Sequence, residues 1–218
     1  DALNNYQLTL NPNSSKSFSF DVSPLSFYVL DTRIDRTHYE TDNTPHFIED
    51  KVSLLKWINT LTGPGVLVIA GLIVDKTANF WTEVLRAGDF GLPDYGDDYY
   101  DLWLAMKKTQ HDILIIGGDV HYGRFGYVEV PSRNQNFNGN GRIYECITSA
   151  LCLLESAKSS YSNINKFDIS GSLERNNNLQ YNKLFNTARG VSNYATISFK
   201  NLASGVEFEV NYYGSDSG

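Results

Sequence analysis

Two runs in this sequence are almost wholly apolar: Val66–Val74 (VLVIAGLIV) and Ile113–Ile116 (ILII). A strand wet on one face alternates apolar with polar residues, whereas a run without alternation is covered on both faces. Both runs therefore read as strands buried inside a layered domain. Residues 50–62 read as a helix before that layer. Asp50 is a candidate N-cap, Leu54, Leu55, Ile58 and Leu61 share one face, and Gly63-Pro64 gives the stop. Residues 97–110 (DDYYDLWLAMKKTQ) read as a second helix, acidic at its start and carrying Lys107 and Lys108 near its end, the order that suits the helix dipole. Tyr100, Trp103, Leu104 and Met106 supply its apolar contacts. Between them, Phe80, Trp81, Val84 and Leu85 fit a short helix, and Gly88, Gly91, Pro93 and Gly96 then impose loop.

The flanks add β structure. Phe18, Phe20 and Val22 alternate with polar residues, Ser23-Pro24 is a turn signal, and Phe27–Leu30 is a short buried strand, so the two runs pair as a hairpin. Tyr127–Val130 and Ile143–Ile147 read as strands around the Asn/Gly-rich loop 134–141. Residues 156–193 read as polar and irregular, with no element assigned and room for part of the segment to be mobile. Residues 195–213 alternate on both sides of Asn201–Gly205 and read as a terminal β-hairpin. The expected fold class is α/β with α+β edges. Strands at 27–31, 66–74 and 112–117 share one mixed sheet, helices 50–62 and 97–110 flank it, and an antiparallel hairpin closes the chain.

Charge and cysteine content limit the partners. Eighteen Lys and Arg face 25 Asp and Glu, a net charge of −7, which argues against a nucleic-acid binder working by phosphate neutralisation. No apolar run approaches the roughly 18 residues of a membrane span. Cys146 and Cys152 read as free, buried thiols, since two cysteines build no disulfide framework. The chain begins at Asp1 without a basic and apolar leader, the pattern of an excised, processed or truncated chain. The sequon Asn13-Ser14-Ser15 is too common to fix a compartment.

The densest chemistry follows the second apolar run, in Gly117-Gly118-Asp119-Val120-His121-Tyr122-Gly123-Arg124. Two glycines let backbone approach closely at a strand end. In an extended segment, residues i and i+2 project the same way, so Asp119 and His121 converge on one point. Carboxylate oxygen with imidazole nitrogen suits a transition metal, and the competing reading is a capping Asp beside a partly buried His. Similarly, Phe27–Leu30 empties into Asp31-Thr32-Arg33-Ile34-Asp35-Arg36. His38 and His46 read as solvated loop residues, and His111 as a helix-end residue. No Gly-x-Ser-x-Gly elbow, Walker loop or dinucleotide fingerprint is present in the sequence.

These segments resemble the calcineurin-like metallophosphoesterases in their PhoD-like form. Gly118–Arg124 is similar to the last metal motif of that family. Phe27–Arg33 is similar to its strand ending in LDTR, with Arg36 matching the arginine that often follows, and Asp97–Leu104 resembles the aromatic, acidic helix before the last motif. The resemblance covers roughly residues 18–155 and implies the C-terminal part of a layered sandwich, as a single domain or a piece of a larger one. It implies hydrolysis of phosphate esters, monoester or diester, by hydroxide generated at a pair of metals drawn from Fe, Mn, Zn or Ca. Asp119 and His121 then ligate metal, and Arg33, Arg36 and Arg124 contact phosphate, with Arg124 alternatively only sitting beside the loop. An Arg33 pairing with Asp31 or Asp35 is the structural alternative. The family's earlier metal motifs are not found in these 218 residues. Expected partners are thus a phosphate ester and a missing N-terminal half of the same protein, without which the metal pair is incomplete and the chain inactive. The resemblance also admits a secreted or periplasmic location. The alternative from another class is a non-catalytic, degenerate or truncated domain with a binding or structural role.

Overall fold

A computed structural model describes residues 16–32, 51–71, 73–74, 96–118, 123–129, 141–148, 166–169, 177–186 and 193–214. Strands β1 (Phe18–Val22) and β2 (Leu25–Val29) form the expected N-terminal hairpin, with Phe18 opposite Val29. Helix α1 (Lys51–Asn59) follows, then β3 (Gly65–Ala70), helix α2 (Gly96–Lys108) and β4 (Ile113–Gly118). Strands β5 (Arg124–Glu129), β6 (Ile143–Ile147), β7 (Lys166–Ile169) and β8 (Asn177–Asn186) complete an eight-stranded sheet of order β1-β2-β3-β4-β6-β5-β8-β7. Strands β9 (Asn193–Leu202) and β10 (Gly205–Gly214) make a separate hairpin. The chain is thus α/β with a mixed sheet, as its two unalternating runs require.

Strand direction explains the layering. β2, β3, β4 and β6 run parallel, whereas β1, β5 and β7 join by antiparallel pairing. The order β2-β3-β4 advances one way across the sheet, so successive right-handed crossovers leave their helices on the same side. Accordingly Tyr28, Leu67, Ile69, Ile113, Ile115 and Ile143 join Leu54, Trp57 and Ile58 of α1 and Tyr99, Leu102, Trp103 and Met106 of α2 in one core. Trp57 packs on Tyr28 with centroids 5.4 Å apart and donates Nε1–H to Ser26 Oγ at 2.9 Å. Lys51 joins the two helices through Asp98, at 3.0 Å, and Asp101. α2 presents Tyr99 and Leu102 more deeply than the expected Tyr100 and Leu104, which are partly buried.

The opposite face takes the terminal hairpin. Phe208 meets Phe125 and Tyr144 edge-on, at 6.0 and 5.2 Å, and Phe199 meets Phe27 at 6.3 Å. Tyr212 reaches deepest: its hydroxyl lies 2.8 Å from the Arg124 carbonyl and 3.1 Å from the Ile147 carbonyl, and 3.3 Å from Cys146 Sγ. The single phenolic proton goes to the carbonyls, leaving the oxygen to accept from the thiol. Cys146 is buried and free of disulfide, as expected; Cys152 lies outside the described residues.

This contact has a pH signature. Burial pushes both the Cys146 thiol and the Tyr212 phenol above their ordinary values of 9.0 and 10.0. Each is the stronger acid when unfolded, so the stability they contribute is present below those values and is lost as pH climbs past them. Lys107, lowered by burial, works the other way below 10.5. We expect Tyr212→Phe to cost about 1–2 kcal/mol at neutral pH. It should also flatten the fall in Tm between about pH 9 and about pH 11, measured by thermal unfolding. A wild-type alkaline limb left unaltered by the substitution would contradict the burial of the phenol.

Two expectations are corrected. The strand at 66–74 stops at Ala70, because Gly71 takes φ 96° and turns the chain; Ile73 and Val74 are nonetheless fully buried. Residues 156–193 are not wholly irregular: β7 and β8 lie within them, and β8 is an interior strand. Its polar sequence hid it. Among its described side chains Leu179 and Tyr181 face the core, and Gly126 of β5 leaves the room that Tyr181 fills. Elsewhere α1 is shorter than the expected 50–62 at both ends, α2 begins one residue before the expected 97 and stops two before 110, and none of the described helices is long and apolar enough to cross a membrane.

Candidate functional site at the strand ends

Parallel pairing brings the carboxyl ends of β2, β3, β4 and β6 to one edge of the sheet. Backbone bonds continue past the strands there. Leu30 N–H donates to the Val68 carbonyl at 2.9 Å, Gly71 N–H to the Gly118 carbonyl at 3.0 Å, and Thr148 N–H to the Gly117 carbonyl at 3.0 Å. Thr32, 1% exposed, donates its hydroxyl to the Ala70 carbonyl at 3.1 Å, and Asp31 N–H donates to Ser17 Oγ at 3.0 Å. The segment Leu30-Asp31-Thr32 is therefore fastened beside the exit of β3, and β3 beside the exit of β4. Gly117 makes the close approach possible. A Cβ there would overlap the Gly71 carbonyl oxygen and stand 2.7 Å from Ile147 Cδ1.

Of the residues expected at the site, Asp119, His121, Arg33 and Arg36 lie outside the described residues. The strand ends that lead to them are described, and they are two strands apart on the same edge. Arg124 is described, and its expected phosphate contact needs correction. Its side chain is fully buried, facing an equally buried Glu145. Nε and Nη2 lie 3.0 and 2.5 Å from Glu145 Oε2, Nη2 reaches the Val74 carbonyl at 2.8 Å, and the guanidinium sits 4.9 Å from the Tyr181 ring centroid. A fully buried guanidinium paired in this way serves the fold.

Glu145 is the residue that sequence reasoning passed over. Its other oxygen accepts from Ile73 N–H at 3.2 Å and Val74 N–H at 3.0 Å, while Tyr99 donates its hydroxyl to the Ile73 carbonyl. The signal was present in Ile143-Tyr144-Glu145-Cys146-Ile147: a carboxylate amid an apolar strand must find a cation or several N–H groups inside. Its partner is 21 residues away, so the pairing itself had no local signature.

Among the described residues, the edge offers the Asp31 carboxylate and the hydroxyls of Thr32 and Thr148, and no three His, Cys, Asp or Glu side chains come together in a metal-sized group. The described donors do not make up a metal centre by themselves. A further concavity of about 420 Å³ lies between the hairpin and the sheet, lined by Phe125, Tyr144, Phe185, Phe208 and Tyr212. It is aromatic and lies on the face of the sheet that takes the terminal hairpin.

Comparison with known proteins adds little to this geometry. No protein-family description matches the chain, and no curated protein matches it. A solved structure of PhoD is similar over 62% of this chain, with 16% identity and a TM-score of 0.38. The chain spans 29% of the length of that structure. A likeness of that size identifies neither the fold nor an activity.

Proposed function

We propose that this chain is the C-terminal part of a metal-dependent phosphoric ester hydrolase, a phosphatase or phosphodiesterase, with its chemistry at the strand-end edge. The observation that supports it is the parallel exit of β2 and β4 on either side of β3. Ligands of open α/β sheets bind outside the carboxyl ends of the strands, where loops leave a rigid frame. The two segments with the densest chemistry in the sequence, Asp31–Arg36 and Gly118–Arg124, both start from that edge.

In this reading Asp119 and His121 hold metal, a carboxylate oxygen and an imidazole nitrogen suited to a transition ion. A bound metal pair would neutralise charge on the phosphate and lower the pKa of a water so that hydroxide is available near neutral pH. Arg33 and Arg36 hold non-bridging oxygens, since a planar guanidinium engages two at once and stays charged. Arg124 is left out of the phosphate contacts because of its burial. Two ligands fall short of the three that catalytic metal sites take from protein, so the 218 residues alone bind metal weakly and turn over negligibly.

The test is hydrolysis of p-nitrophenyl phosphate and bis-p-nitrophenyl phosphate by the longest natural form of the protein, with Arg33→Lys beside the wild type. Lysine keeps the charge and loses the fork. We expect a loss of about 2–4 kcal/mol of transition-state stabilisation, roughly thirtyfold to thousandfold in rate, with metal content unchanged. Loss of metal or of folding in Arg33→Lys, with activity per folded molecule intact, would make Arg33 a structural partner of Asp31 or Asp35. Hydrolysis of neither ester by the wild type would favour the non-catalytic reading.

A further inference from the structure

A buried ion pair gives little net stability over an apolar pair of the same volume, because desolvation offsets most of the attraction. Arg124 and Glu145 sit on the core face of the sheet, fully buried, where an apolar pair could pack. What they do beyond filling space is hold the exit of one strand to the entry of another. Glu145 Oε1 takes the Ile73 and Val74 N–H groups, so the chain leaving β3 is clipped to β6. Glu145 Oε2 takes Arg124, the first residue of β5, where the chain returns to the sheet after leaving β4. Arg124 closes the ring by donating to the Val74 carbonyl at 2.8 Å. Tyr99 from α2 and Tyr212 from the hairpin brace the same two backbones, at Ile73 and at Arg124.

We propose that Arg124 and Glu145 are positioning residues, a clasp that sets the exit of β3 and the entry of β5 as one unit. It thereby fixes one end of the segment carrying Asp119 and His121, the other end being Gly118, already bonded to Gly71. The clasp stands on these contacts alone. Its service to a metal site rests on the hydrolase reading above.

The test is residue-resolved amide hydrogen exchange on the 218-residue chain carrying Arg124→Met with Glu145→Leu, a pair that keeps the volume apolar. The account expects a folded protein whose Leu114–Ile116 amides exchange at wild-type rates. Ile73 and Val74 should exchange about a hundredfold faster, with Gly123 and Arg124 faster as well, because the bonds ordering them are gone. Unchanged rates at Ile73 and Val74 would overturn the clasp, as would equal acceleration in every strand, which marks a general stabiliser. Should the double variant fail to fold, Glu145→Gln serves instead: the same amides should accelerate by a smaller factor, and no local change would refute the proposal. Metal content and ester hydrolysis are measured on the longest natural form in parallel. The expected exchange pattern without metal or hydrolysis in the wild type would leave the clasp standing and remove the hydrolase reading.

Discussion

Glu145→Ala should destabilise the protein by about 3–5 kcal/mol, the usual result of leaving a buried charge without its partner. The Arg124 guanidinium would keep its place at 0% exposure beside an empty volume, and Ile73 and Val74 N–H would lose their acceptor. Domains of this size are stable by only about 5–15 kcal/mol in total, so the loss is a large share. In a thermal scan it corresponds to a fall of roughly 10 °C or more. A variant within about 1 kcal/mol of wild type would show that Arg124 readily finds another environment, contrary to the geometry.

Gly117→Ala should be nearly as damaging, at about 3 kcal/mol. The new methyl has no empty direction. It would overlap the carbonyl oxygen of Gly71, which is backbone, and press on Ile147 Cδ1 at 2.7 Å. Relief requires β3 and β4 to part at their carboxyl ends, which breaks the bond from Gly71 N–H to the Gly118 carbonyl. Chemical denaturation measures the loss. The neighbouring Gly118→Ala is the control, since among the described residues its methyl would meet Thr148 at 3.7 Å, ordinary contact, and should cost far less. Equal effects at the two positions would argue against the tight approach of β3 and β4.

The difference between these glycines was invisible in the sequence, where they are adjacent and equivalent. What was legible followed from burial pattern. Ile113–Ile116 and Phe27–Leu30 announce strands because no polar residue interrupts them, and the terminal hairpin announces itself by alternation around Asn201–Gly205. Val66–Val74 read as one strand because apolar content records burial and not conformation. Ile73 and Val74 are buried through side-chain bonds to their backbone, beyond a glycine that ends the strand. β8 escaped because a strand held by main-chain bonds needs few apolar residues, and here Leu179 and Tyr181 suffice. Arg124 looked like a phosphate ligand because it ends a charged motif. Its true partner lies on β6, and only the fold brings the two together. Asp119, His121, Arg33 and Arg36 remain proposals anchored to described strand ends.

The most direct test of the hydrolase reading is the transition-metal content of the longest natural form, purified without chelator, beside His121→Ala. The account predicts stoichiometric metal in the wild type and its loss in His121→Ala, in a protein that still folds. Equal metal in both, or a wild type that holds none, would contradict it.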